Sequence, residues 1–180
     1  SCAFVRKHKD IGIGKEDIFQ LVDFYTLFYF DFIVQNKYHD EQFWTTSFNS
    51  PIHSTWSGIA FERLCLAHLT QIKKALGISG ISTKQSSWSR KKGEEAGTQI
   101  DMLIERKDNI VNMCEIKFYS NDFSVDKDYH KVLMNREELL ARELSPKMMI
   151  HKTLITTVGL KYNEYSSDFD NIIILDDLFK

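Results

Sequence analysis

The chain has 180 residues, 43% hydrophobic and 27% charged, with a formal net charge of -2. Those values fit one globular domain that buries roughly 70% of its unfolded surface, and they exclude a disordered chain. The near-neutral charge also excludes a protein that coats nucleic acid by bulk electrostatics, so any nucleic-acid contact must be local or metal-assisted.

The opening SCAFVRKHKD lacks a Met and a signal-peptide pattern, and it reads as the start of a piece cut from a longer protein. Next, IGIGKED brings a phosphate loop to mind, but one residue separates Gly12 from Gly14 and Glu16 follows Lys15. That motif needs four residues between its glycines and a hydroxyl after the Lys, so no nucleotide site is expected here. Residues 16 to 34 carry Ile18, Leu21, Val22, Tyr25, Phe28, Tyr29 and Phe32 at spacings of three and four, which predicts a helix with a broad aromatic face. Such a face must pack on the rest of the chain or on a second copy, so a homo-oligomer is one expectation. The most apolar stretch, LVDFYTLFYFDFIV, is interrupted by Asp23 and Asp31 and is too short to cross a membrane.

Asn36, Asn49, Ser50 and Pro51 mark residues 35 to 55 as a connection, with a boundary near 50. Residues 57 to 76 predict the clearest helix, ending at Gly77, with its stripe through Phe61, Cys65, Leu69, Ile72 and Leu76. Glu62 lies at the edge of that stripe, where a carboxylate can also simply reach water. His68, one position off it, reads as a packing or hydrogen-bonding histidine. Cys2, Cys65 and Cys114 are far apart, without metal-ligand spacing, and point to a reducing, cytoplasmic setting.

A strand at 81 to 88 leads into the charged loop RKKGEEAG, whose Arg90, Lys91 and Lys92 can contact phosphate, although Glu94 and Glu95 make a solvated turn the plainer reading. Two strands follow in QIDMLIERKDNIVNMCEIKFY (99 to 119), then a helix over 124 to 142, then short strands at 153 to 158 and 171 to 175 of the kind buried on both faces.

Side chains alternate along a strand, so Asp101 shares a face with Gln99, Leu103 and Glu105, and Glu115 shares one with Met113 and Lys117. If Lys107, Asp108 and Asn109 form the loop, paired numbers sum to 216 and Asp101 faces Glu115, with Lys117 two positions along. A two-residue loop would shift the sum and break the match. Opposed carboxylates repel unless one is protonated or a cation lies between them. Oxygen ligands suit Mg²⁺ or Mn²⁺, which would activate water and hold phosphate oxygens while a Lys offsets charge at phosphorus. A solvated strand face with alternating charges is the competing reading.

Asp on one strand, then Glu-x-Lys on the next, preceded by a Glu-bearing helix, resembles the PD-(D/E)XK nuclease superfamily through Glu62, Asp101, Glu115 and Lys117. Ile100 stands where that motif has its proline. More narrowly, WSGIAFE, GTQIDMLIER and CEIKF resemble the C-terminal domain of bacterial and archaeal AAA-type ATPases, and DIFQLVDFYTLFYFDFI resembles the linker after their winged helix. The resemblance implies a restriction-endonuclease-like α/β domain over 51–180, with a mixed central sheet flanked by helices and a helical linker over 1–50. It implies a P-loop ATPase as N-terminal partner, DNA as substrate, and a Mg²⁺ or Mn²⁺ site made by Asp101, Glu115 and the Ile116 carbonyl. Lys117 would activate water or steady the transition state, and Glu62 would complete the shell. The rival expectation is a catalytically silent module of the same fold that binds DNA or a partner and regulates the ATPase.

Overall fold

The computed structural model describes residues 4–9, 17–36, 40–48, 50–90 and 98–180. Its centre is a five-stranded sheet in the order β3-β4-β5-β6-β7, made by β3 (Thr83–Arg90), β4 (Thr98–Arg106), β5 (Ile110–Lys117), β6 (Met149–Thr156) and β7 (Asn171–Ile174). The β3-β4-β5 pairings are antiparallel and β5-β6-β7 are parallel. This is the α/β class with a mixed central sheet flanked by helices that the sequence predicts.

The β4–β5 turn sets the register. Lys107 and Asp108 make the turn and Asn109 takes a left-handed conformation (φ 64°), the pattern of a three-residue hairpin loop. Met102 therefore pairs with Cys114, Leu103 with Met113, Ile104 with Asn112 and Glu105 with Val111. Each pair sums to 216, as a 107–109 loop requires.

Alternation along these strands builds a core on each face of the sheet. Leu103, Val111 and Met113 pack with Leu133, Leu139 and Leu140 of α5 (Lys127–Glu143), and Trp88 joins them. Met102, Ile104, Cys114 and Ile116 pack instead with Phe61, Cys65 and Ile72. These come from α3 (Pro51–Ala67) and α4 (Leu69–Ala75). Burial pushes the Cys65 thiol up to about 12 and the Cys114 thiol up as well, so both are packing groups and neither is a ready nucleophile.

Helix α3 starts earlier than periodicity suggests. Ser50 accepts the His53 N–H and Pro51 occupies the first turn, so the cap and not the apolar stripe sets its start. The 57–76 helix is also broken once: the His68 ring bonds the Leu64 carbonyl (2.8 Å) at the end of α3, and α4 begins at the next residue. That is the hydrogen-bonding role expected of His68. Gly77 (φ 70°) ends α4, as the sequence implies.

The N-terminal segment differs from its expected helix. β1 (Val5–Lys9) and β2 (Asp17–Leu21) pair antiparallel, Val5 opposite Leu21, as a separate hairpin. Helix begins only at α1 (Phe24–Phe28), where Asp23 accepts the Thr26 N–H (2.7 Å), and continues as a wider turn over Tyr29–Ile33. Five residues, too few to show a clear period, satisfy a strand as well as a helix, and a pairing partner decided for the strand. After the short α2 (Phe43–Thr46), Phe28 and Phe32 pack edge-to-face against Trp44 and Trp56, with centroids 4.9 to 5.6 Å apart. The aromatic face thus packs partly on the start of α3. Gly12, Gly14, Lys15, Glu16, Lys91, Lys92, Glu94 and Glu95 lie outside the described residues, as does the side chain of Arg90. Among the described residues, no helix is long and apolar enough to cross a membrane.

Candidate active site

The ladder between β4 and β5 ends at Met102 and Cys114, β4 is irregular there against β3 between the pairs Ser86–Leu103 and Trp88–Ile100, and Asp101 and Glu115 meet through a shared lysine. Asp101 reaches across the hairpin: its Oδ2 accepts the Ile116 N–H at 2.9 Å, which fixes the carboxylate at the strand end. Lys117, two residues beyond Glu115, places its Nζ 3.5 Å from Glu115 Oε2 and 3.7 Å from Asp101 Oδ2. Lys117 and Asp101 side chains are 23% and 18% exposed, so the cluster opens to solvent on that side.

Glu115 is fully buried, yet it is not in apolar surroundings. Its Oε2 accepts from the Tyr129 hydroxyl (2.8 Å) and is ion-paired with Arg136 Nη1. Both partners come from α5, seven residues apart and so on one face of that helix. Arg136 also donates from Nε to Thr98 Oγ1 (3.3 Å). Burial alone would lower the Arg136 pKa, but attraction and hydrogen bonding from Glu115 outweigh it and raise it. Burial chiefly, and then Glu115, raise the Tyr129 hydroxyl, so it stays a donor. Glu115 Oε1 is buried and has no hydrogen-bond partner.

Glu62 is half-buried on α3 and feels both Asp101 and Lys117. Burial first, and the Asp101 charge second, raise its carboxyl pKa, with Arg63 and Lys117 pulling it back. The structure therefore gathers Asp101, Glu115 and Lys117 in direct contact and sets Glu62 within their field. Ile116 is buried against the α3 side and its peptide is tied to Asp101 through the N–H.

Tyr129 and Arg136 were not among the sequence candidates. Tyr129 was legible as a face residue of the 124–142 helix, and seven residues along a helix return to nearly the same direction, so Arg136 was within reach of that argument. Its charge sits on an otherwise apolar face, which is the signal that was available.

The donor set suits a hard divalent cation. Asp101 and Glu115 offer only oxygens, and Glu115 Oε1 is a buried lone acceptor that a cation would satisfy. Among the described residues, no three His, Cys, Asp or Glu side chains are already arranged as a metal cluster. Lys117 and Arg136 instead provide the positive charge in this arrangement.

No family model matches the chain, and no curated protein matches it. Among solved structures it is similar to a protein of unknown function, AF1548, at 15% identity and a TM-score of 0.38. The overlap covers 60% of this chain and 55% of that one, so the chain spans about half the length of the structure it matches.

Proposed function

We propose that this chain is a Mg²⁺- or Mn²⁺-dependent phosphodiester hydrolase acting on DNA, of the PD-(D/E)XK nuclease type, serving as the C-terminal domain of an AAA-type ATPase in the cytoplasm. The observation that carries the reading is the meeting of Lys117 with two carboxylates from adjacent strands, 3.5 and 3.7 Å away, beside the unpartnered Glu115 Oε1. In this reading Asp101 and Glu115 hold the cation, with the Ile116 carbonyl as the backbone donor. Such an ion, when bound, supplies Lewis acidity and a water of lowered pKa. Lys117 orients the attacking water and offsets charge that develops on the phosphate oxygens. Glu62, with its raised pKa, holds a proton more firmly than an ordinary carboxyl and positions water at the edge of the cluster. The bond from the Ile116 N–H holds the Asp101 carboxylate at the strand end, with the same Oδ2 facing Lys117.

A second reading is a catalytically silent module that binds DNA or a partner and regulates the ATPase. It is favoured by one observation: Arg136 and Lys117 already compensate the buried carboxylate.

Nicking of plasmid and single-stranded DNA with Mn²⁺, by the chain alone and joined to an ATPase region, separates the two. Lys117→Met is expected to keep Mn²⁺ binding while turnover falls by about 10² or more. Asp101→Asn is expected to weaken Mn²⁺ binding as well as turnover. Wild-type protein that binds no Mn²⁺ and cuts nothing in either form, or a Lys117→Met variant that cuts as well as wild type, defeats the hydrolase reading.

A further inference from the structure

We infer that Arg136 is a resident counter-ion of the cluster: it holds Glu115 in a metal-free form and opposes entry of a divalent metal, which binds as the guanidinium leaves. This rests on the metal-site reading above and goes beyond it by assigning a competitor for that site within the chain.

A carboxylate with no solvent contact needs compensating charge, and Glu115 is 0% exposed. Two cations answer that need unequally. Lys117 sits 3.5 Å from Oε2 and is shared with Asp101, whereas Arg136 forms a direct hydrogen-bonded ion pair with the same oxygen. Among the groups in direct contact the formal charges balance, Asp101 and Glu115 against Lys117 and Arg136, with the Glu62 carboxyl at the edge holding its proton more firmly than usual. A divalent ion added to that set leaves a surplus of two positive charges in a largely buried space, where Coulomb terms are weakly screened.

The partner that can yield is Arg136. Lys117 is fixed beside both carboxylates by its place on β5, two residues after Glu115. Beyond Glu115, Arg136 has one further hydrogen bond among the described residues, the 3.3 Å bond to Thr98 Oγ1 at the start of β4, and its side chain is 17% exposed. A rotamer change would carry the guanidinium toward solvent without moving α5. Tyr129 would stay on Oε2 as a neutral donor, leaving Oε1 and the vacated side of the carboxylate for the ion. The freed guanidinium keeps five donors suited to a phosphate.

The test is Mn²⁺ calorimetry on the full chain with Arg136→Gln and, as a charge-matched comparison, Arg142→Gln. Arg142 lies on the same helix but pairs with Glu138 at the surface. Removing the resident cation is expected to tighten Mn²⁺ binding roughly tenfold, and Arg142→Gln to leave it within about twofold. Because loss of a buried partner destabilises folds, melting is measured beside calorimetry. If Arg136→Gln is unfolded without metal, Mn²⁺ is expected to restore the folded transition, and failure to restore it overturns the assignment. Unchanged or weaker Mn²⁺ binding by Arg136→Gln, with wild type still binding, overturns the counter-ion role alone. No Mn²⁺ binding by either protein overturns both this role and the metal site.

Discussion

Two regions of the same chain use apolar residues in opposite ways. In β5, the six residues from Val111 to Ile116 are all buried, alternating between the α5 core and the α3–α4 core. In the described part of the N-terminal segment, only Phe32 is buried. Phe4, Phe19, Tyr25, Phe30 and Phe48 are all more than half exposed. Both stretches look hydrophobic in sequence. The hairpin gains its order from neighbours on both faces of a sheet, while the N-terminal aromatics pack mainly on one another and on the start of α3. The contrast teaches that an apolar run forms core only where long-range partners flank it, and that a charged group such as Glu115 can be fully buried within such a run when a neighbouring helix supplies its partners.

The largest effect expected from this contrast comes from cutting the sheet core. Leu154 in β6 is fully buried against the α5 side, and Leu154→Ala should lower unfolding stability by about 2–5 kcal/mol. Phe30, 58% exposed, is a larger side chain, yet Phe30→Ala should change stability by no more than about 0.5 kcal/mol. Denaturant titration of both variants measures this directly. Comparable losses would break the contrast and mean that the aromatic segment is as much a core as the sheet. Phe32 lies between these cases, buried against Trp44 and Trp56 but outside the sheet core. Its truncation should cost about 2 kcal/mol and shift tryptophan emission to the red. An unshifted spectrum would show that those rings do not depend on it.

The same contrast explains what the sequence disclosed. The β4–β5 register followed from loop length because Asn109 can take the left-handed conformation that closes a three-residue turn, and alternation along β5 then put Glu115 on the α5 side. The helix–three strands–helix–two strands order followed from periodicity, since each element has a buried face. The strand at 17–21 did not follow, because its partner at 5–9 is polar and leaves no apolar alternation to read. Nor did the burial of Glu115 by α5. Arg136 and Tyr129 are 21 and 14 residues further along the chain, and a contact across that distance depends on how the crossover helix lies on the sheet.

A loss smaller than those of Leu154 and Phe32 tests the junction between the regions. Ser50 is the last residue before the helix that leads into the body, with an extended backbone (φ -84°, ψ 154°) and a side chain that accepts the His53 N–H at 3.3 Å. Pro51 follows, and its missing N–H removes one of the donors the helix start would otherwise leave unpaired. Ser50→Ala leaves the His53 N–H to water and should cost about 1 kcal/mol, whereas Ser50→Asp restores an acceptor near the positive end of the helix and should recover most of it. If α3 belongs to the sheet body from Pro51 onward, that loss appears in the main cooperative unfolding transition, because Phe61 and Cys65 of the same helix are buried under the sheet. A loss seen only as fraying of the first turn, with the main transition unmoved, would place the first turns of α3 with the N-terminal segment and shift the boundary toward Phe61.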